Sequence, residues 1–348
     1  MLYAGLDLSR RRLDVCVLNE DGDRLLEIGV SPDADGLRSL TARVARQWPQ
    51  PVSAAIESMT GARFVHDVLE RWGWQVDIAD AQRAKGLAPL VAKTDRIDAW
   101  VLAELARREL VPAIWLPDPG VRAERELARF RLHLVHHRSA LKNRIHATLI
   151  SFGHALPVSD LFGRAGRQRL ERMALPEPWA SSVAVSLELI DDLDRQVAAA
   201  EAELRRLGAE HASIPLLRSV PGISWILASV IAAEIGDIGR FASAKALVAY
   251  TGLVPFVLQS GERDRRGPLT KHGPRYLRWA MIEAAMHASR HPAYRARYER
   301  TRRRLGRQRG PKVARVELAR QLTTAIWHML SKGEPFAPPA GPTMYLVA

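Results

Sequence analysis

Two aspartates three residues apart stand in the string Lys93-Thr94-Asp95-Arg96-Ile97-Asp98-Ala99, which reads as a helix start. Residues at i and i+3 share a helix face, so both carboxylates can address one small volume. Like charges held that close need a cation, a proton or a partner. Two further carboxylates close apolar strands: Asp7 after Tyr3-Ala4-Gly5-Leu6, and Glu57 after Val52-Ser53-Ala54-Ala55-Ile56. A set of oxygen donors suits Mg²⁺, a hard ion that keeps waters and takes phosphate oxygens. Two such ions about 4 Å apart stabilise the attacking and leaving oxygens of an in-line phosphoryl transfer. In that arrangement Asp7 bridges both ions, flanked by Glu57, Asp95 and Asp98. Taken singly, each has a plainer reading, since a strand-terminal acid is commonly solvated and Asp95 could cap its helix. Their combination carries the argument.

A second constellation is the polar stretch Gln259-Ser260-Gly261-Glu262-Arg263-Asp264-Arg265-Arg266-Gly267-Pro268, followed by Thr270-Lys271-His272-Gly273. It reads as a loop. Ser260 between Gln and Gly is ordinarily a turn residue. As a nucleophile it needs activation and a clamp for the developing negative charge, which Arg263, Arg265, Arg266 and Lys271 could supply. Farther on, Arg295, Arg297, Arg300, Arg302, Arg303, Arg304, Arg307, Arg309 and Lys312 crowd adjacent turns. So many like charges repel without a counter-charge, and backbone phosphate is the fitting one.

The whole chain carries the same bias. Its 348 residues hold 51 Lys+Arg against 38 Asp+Glu, a formal net charge of +13. A protein this basic meets a polyanion, and nucleic acid is the expectation. The single cysteine, Cys16, lies in an apolar run and reads as core. It excludes an internal disulfide and Cys/His zinc spacing. No apolar run reaches the ~20 residues of a membrane span, and the first residues do not resemble a signal peptide. The expectation is a cytoplasmic protein without a membrane.

The elements that position these residues follow from periodicity. Residues 1–8, Leu13–Leu18 and Arg24–Val30 read as a three-stranded antiparallel meander. A helix over Asp33–Gln47, a strand over Val52–Ile56 ending at Glu57, a helix over Gly61–Trp72, a strand over Trp74–Ala79 and the Asp95/Asp98 helix to about Arg108 follow. Pro112 and Pro117-Asp118-Pro119 mark a boundary. The order β-β-β-α-β-α-β-α is that of the ribonuclease-H-like fold, an α/β domain. Its polynucleotidyl transferases hold carboxylates where Asp7, Glu57, Asp95 and Asp98 fall here. Long helices over Val121–Leu149 and Ala180–Leu207 read as a helical arm or coiled coil, or equally as part of a bundle. Ser219-Val220-Pro221-Gly222-Ile223-Ser224 between two helical segments resembles a helix-hairpin-helix, and helices over Arg275–Leu305 and Lys312–Leu330 complete a mostly α C-terminal domain. The expected divisions are 1–115, 120–212 and 213–335, with a Pro-rich tail over 336–348.

Together these residues resemble the DEDD-type insertion-sequence transposases, a group that includes the Piv-type DNA invertases. The resemblance rests on Gly5-Leu6-Asp7, Ile56-Glu57 and Lys93 to Ala99 in the first half. In the second it rests on Pro221-Gly222-Ile223, Ala233-Glu234-Ile235-Gly236-Asp237, Tyr250 to Pro255, Ser260-Gly261, and Thr270 to Gly273 with Arg275-Tyr276-Leu277-Arg278. It implies a RuvC-like domain binding Mg²⁺, two ions, through Asp7, Glu57, Asp95 and Asp98. It implies a C-terminal transposase domain whose Ser260 becomes covalently joined to DNA, with Arg275 among the nucleic-acid contacts. It further implies donor and target DNA as partners, a structured non-coding guide RNA, and a homodimer pairing into a tetramer. One departure stands out: Glu57-Ser58-Met59-Thr60-Gly61 is one residue longer than the family's usual Glu-x-Thr-Gly. A hydrolytic junction-resolvase-like nuclease using only the carboxylates, and a binding protein with a decayed site, are the alternatives.

Overall fold

The first strand decides the layering of the N-terminal unit, Met1–Leu116. Five strands, β1 (Leu2–Leu8), β2 (Leu13–Leu18), β3 (Arg24–Val30), β4 (Val52–Glu57) and β5 (Gln75–Ala79), form one sheet in the order β3-β2-β1-β4-β5. β1, β2 and β3 are the expected antiparallel meander, while β4 runs parallel to β1 and β5 parallel to β4. Helices α1 (Ala34–Gln47), α2 (Ala62–Arg71), α3 (Ala81–Leu87) and α4 (Asp95–Arg107) complete the unit. The computed structural model describes residues 1–87, 95–154, 160–260 and 263–338, with the side chains of 95–96, 258–260 and 263–266 outside that description.

Side chains along a strand alternate between faces. Leu2, Ala4, Leu6 and Leu8 of β1 enter a core with Leu37, Leu40 and Val44 of α1 and Val65, Val68 and Leu69 of α2. The opposite face receives α4: Tyr3, Cys16 and Leu18 pack against Ala99 and Ala103. Here Gly5 is decisive. A Cβ at Gly5 would overlap the Ala99 carbonyl oxygen and the Ala103 amide, so the helix backbone lies directly on the strand backbone. At the far end of α4, Arg107 pairs with Glu104 and donates to the Glu20 carbonyl oxygen at 3.2 Å, fastening the helix to the β2–β3 turn.

The second unit, Pro117–Ala348, is mostly helical. Helices α5 (Pro119–Ser151) and α7 (Trp179–Leu207) pair along their length, with α6 (Arg164–Glu171) beside them. Arg131 bonds Glu201 and Arg138 bonds Asp194, a step of seven forward on α5 and seven back on α7, which makes the pair antiparallel. Ala128, Leu132 and Leu204 belong to the main core of the unit. Ile145, Leu149, Val183 and Ile190 form a separate small core with Leu161 and Leu170. The pair thus joins the main core at one end and has a small core of its own at the other.

Helices α8 (Ser213–Arg218) and α9 (Trp225–Ile235) flank the Pro221-Gly222 turn. A Cβ at Gly222 would meet the backbone of Ala284 and Ala288, so that glycine serves helix packing. Helix α9 is buried nearly all round, and its Glu234 is only 1% exposed. Arg129 holds the Glu234 carboxylate two-pronged at 2.7 and 2.9 Å, and Arg125 donates to the Ala233 and Glu234 carbonyls that end the helix.

Helix α10 (Ala244–Tyr250) precedes a correction. The polar stretch around Ser260 is a two-stranded hairpin, β6 (Pro255–Ser260) against β7 (Arg263–Leu269), and not a loop. The helical sequence from Arg275 divides into α11 (Arg275–Ala288) and α12 (Pro292–Arg304), broken where Pro292 starts a new helix. Helix α13 (Gly306–Lys332) begins earlier than Lys312 and carries Pro311 inside its first turns. The tail beyond residue 338 lies outside the described residues.

Two stability outcomes follow. Gly5→Ala should lower the urea midpoint of the N-terminal transition by the equivalent of ~2 kcal/mol, because neither backbone can yield. Glu234→Ala should cost ~3 kcal/mol, near the lower end for breaking a buried pair, since Arg129 keeps 36% of its side chain exposed. Wild-type midpoints in either variant would refute the corresponding assignment.

Candidate functional site

Asp7 and Glu57 close β1 and β4, the neighbouring parallel strands at the middle of the sheet. The ladder registers Gly5 with Ala55 and Leu6 with Ile56, which brings Asp7 level with Glu57. Both lie on the α4 face, two residues beyond Gly5 and Ala55. In open α/β sheets this carboxyl end of parallel strands is the usual place for ligands. Helix α4 runs antiparallel to β1, with Ala99 over Gly5, so its first turn points toward the same end. Asp98 adjoins Ala99, and Asp95 is the first residue of the helix. Asp7, Glu57 and Asp98 are each half-buried. The Asp95 side chain, with Lys93 and Thr94, lies outside the described residues.

Two cations bracket this end of the sheet. Lys85 on α3 reaches Glu57 at 3.5 Å from a largely exposed position. On the other side Arg12 bonds Asp14 at 2.9 Å. Asp14 stands directly opposite Asp7 in the β1–β2 ladder and is 6% exposed. Sequence reasoning passed over Asp14, Arg12 and Lys85. The signal for Asp14 was present: a charged residue inside Leu13-Asp14-Val15-Cys16-Val17 must be paired if that strand is buried. Cys16 is buried, and that burial, reinforced by Glu27, pushes its thiol up to about 11.

The donor chemistry at this end of the sheet is oxygen throughout, which fits a hard divalent cation. Among the described residues no group of three or more His, Cys, Asp or Glu side chains is placed to hold a metal ion, so Asp7, Glu57 and Asp98 do not by themselves form such a group. A Mg²⁺ site does not require one, because that ion is ordinarily held by one or two carboxylates with waters and phosphate oxygens.

Ser260 lies in the second unit, as the last residue of β6 and paired with Arg263. Gly261 and Glu262, and the side chains of Ser260, Arg263, Arg265 and Arg266, lie outside the described residues. The base of the hairpin is firmly tied. Thr270 N–H donates to Val254 O at 2.9 Å and Lys271 N–H to Gly252 O at 3.1 Å. Arg278 donates to Lys271 O at 3.0 Å, and Arg320 to Leu253 O at 2.8 Å. Lys271 is held at φ 54°, a left-handed backbone that is costly for a side chain with a Cβ. Its side chain faces solvent.

Arg275 stacks over Tyr276 and bonds the phenol oxygen at 2.7 Å. Arg302, Arg303 and Arg304 are exposed at the end of α12. Arg303 joins Arg290, Arg295 and Arg300 along one open groove. No helix among the described residues is long and apolar enough to cross a membrane.

Known proteins match this chain in both halves. A DEDD transposase family of the IS110 group, described as Transposase, matches residues 4–153. The description Transposase IS116/IS110/IS902 family matches residues 214–299. A Pseudomonas aeruginosa protein named as a probable family 20 transposase is 28% identical over 84% of this chain and 88% of its own length. The transposase for insertion sequence element IS1328 of Yersinia enterocolitica is 28% identical over 81% of this chain and 82% of its own. The transposase for insertion sequence element IS1111A of Coxiella burnetii is 27% identical over 95% of this chain and 90% of its own. With both halves of the family matched in order, and relatives spanning nearly its full length, the chain belongs to the IS110 family of insertion-sequence transposases.

Proposed function

We propose that this transposase cuts and rejoins DNA by phosphoryl transfer, using two sets of residues: the carboxylates of an N-terminal ribonuclease-H-like (RuvC-like) domain and, for the covalent step, Ser260. The observation that carries the reading is the register of β1 and β4, which sets Asp7 beside Glu57 under the N-terminal end of α4. Asp7, Glu57, Asp95 and Asp98 would hold Mg²⁺, two ions on this reading. When bound, the metal supplies charge stabilisation to the phosphate and its entering and leaving oxygens. The N-terminus of α4 favours negative charge by about 0.3–1 kcal/mol, which eases holding Asp95 and Asp98 in one turn. A divided-carboxylate site of this kind orients the scissile phosphate and excludes other geometries.

The covalent step is assigned to Ser260. Its Oγ forms a bond to phosphorus while the bond from phosphorus to the 3′ oxygen breaks. The departing oxygen gains a proton as a 3′-hydroxyl, and the serine proton leaves to solvent or a nearby base. Rejoining reverses this: a 3′-hydroxyl of another strand attacks and serine is released. One ester replaces another, so no external energy source is needed. The hairpin supports the assignment because its base is tied by backbone and arginine hydrogen bonds, an anchorage of the kind that positions a reacting group. Arg263, Arg265, Arg266 and Lys271 would face the phosphate, while Arg275, Arg302, Arg303 and Arg304 take backbone phosphates of donor and target DNA.

Sequence choice is assigned to a structured non-coding guide RNA, with the protein acting as a homodimer that pairs into a tetramer. The charge of the chain supports a polyanion-binding role of this extent, since arginine contacts to backbone give affinity without reading bases. On this reading the Pro221 side of the turn between α8 and α9 would meet phosphate as a helix-hairpin-helix does, while Gly222 packs against α11.

The test combines protein, the RNA encoded beside the gene, and DNA from the element's own ends. A protein–DNA adduct that survives denaturing electrophoresis is expected with Mg²⁺. Ser260→Ala should abolish the adduct, and Asp7→Asn should lower its rate by at least a hundredfold while weakening Mg²⁺ in calorimetric titration. Cleaved ends with free 5′-phosphates and no adduct would assign simple hydrolysis instead. Mixing the Ser260→Ala and Asp7→Asn proteins should partly restore activity if one site draws on two subunits, and should restore none if each chain is self-sufficient.

A further inference from the structure

The turn between β1 and β2 carries three arginines, and only one of them is built into the sheet. Arg12 closes its own turn: its amide donates to Ser9 Oγ at 3.1 Å, and its carbonyl oxygen accepts from Ser9 N–H and from Ser9 Oγ, both at 2.8 Å. From that fixed backbone the side chain lies back along the α4 face. Its Nε and Nη2 both reach Asp14 Oδ1 at 2.9 Å. Across the β2–β3 ladder from Asp14 stands Gly29. A Cβ there would overlap Arg12 Nε, Cζ and Nη2. The guanidinium therefore occupies the space that a side chain at residue 29 would fill.

This arrangement differs from an ordinary surface ion pair. Asp14 keeps only 9% of its side chain exposed, whereas Arg12 keeps 55%. The carboxylate is inside and the cation is fixed at the surface. A free arginine loses rotamer entropy when it docks on a ligand, and a guanidinium already held by a carboxylate and a glycine loses less. Its position is also specific. Asp14 lies opposite Asp7, with Cβ atoms about 5 Å apart in such a pair, and Arg12 is two residues along on the same face. The groove beneath it, about 180 Å³, is lined by Arg12, Asp14, Cys16, Glu27, Gly29 and Ala99, so it opens beside α4.

A cluster of carboxylates repels DNA except where cations intervene. A planar guanidinium at its margin matches two phosphate oxygens at once. We infer that Arg12 is a phosphate-binding residue of the carboxylate site, taking a DNA backbone phosphate beside the scissile one, with Asp14 and Gly29 as its positioning residues. The inference rests on the carboxylate reading given above.

The experiment uses the full-length protein loaded with its RNA and a labelled duplex from the element's own end. Binding is followed by anisotropy in Ca²⁺ over a range of KCl, and single-turnover strand cleavage is followed in Mg²⁺. Arg12→Ala should weaken binding by about tenfold and reduce the slope of log K against log salt by about one, the value for one lost phosphate contact. Arg12→Lys retains a counter-charge for Asp14. It should restore the slope but leave cleavage at least tenfold slow, because an ammonium lacks the fork. Gly29→Ala should behave as Arg12→Lys does, with charge kept and placement lost. A wild-type slope and wild-type cleavage in Arg12→Ala, with or without a lower melting temperature, would reduce the pair to neutralising Asp14 and overturn the inference. Asp7→Asn separates the two claims. If it cleaves normally the carboxylate reading fails while the salt slope still judges Arg12. If it is inactive and Arg12→Ala is not impaired, only the Arg12 inference fails.

Discussion

The N-terminal unit depends on one close approach, the backbone of α4 lying on the backbone of β1 at Gly5. Such an approach requires small residues on both sides, and Gly5, Ala55, Ala99 and Ala103 supply them. Its consequence is positional. With Ala99 fixed over Gly5, the first turn of α4 must lie at the end of the sheet where Asp7 and Glu57 emerge. A larger residue at position 5 would lift the helix and separate Asp98 from the strands without changing a single acidic side chain. The packing of apolar and small residues thus sets the spacing of the charged ones.

Gathering acids creates an electrostatic cost that the surroundings offset. The helix terminus offers partial positive charge, Lys85 reaches Glu57, and Arg12 holds Asp14. These contributions are unequal. The Lys85 pair is largely exposed and so worth little by itself, whereas Asp14 would be a buried, unpaired charge without Arg12. The pair on β2 is thus the structurally necessary one, and it sets a cation beside the acids.

Much of this was legible in the chain, and the reasons differ by element. Asp7 and Glu57 stood out because each ends an apolar strand, although β2 alternates only weakly. The coarse α/β unit followed from the same pattern. The Gly5 contact was not visible, since a glycine in a strand announces close approach without naming the partner. The hairpin bearing Ser260 was hidden because Arg265-Arg266-Gly267-Pro268 has poor strand propensity; pairing with the apolar Phe256-Val257-Leu258 side overrides it. Glu234 belonged to a recognisable signature but gave no hint of its role, which is to accept Arg129 inside the core.

That last case bears on how the second unit works. Its arginines divide into two populations by partner. Arg125, Arg129, Arg278 and Arg320 donate inward, to helix ends, a buried carboxylate and the backbone at the hairpin base. Arg302, Arg303 and Arg304 face outward on α12, with Glu299 answering Arg302. Counting charge therefore overstates the surface available to nucleic acid, because some of the excess is consumed in building the scaffold. The outward set leaves its guanidinium groups in solvent at the end of α12.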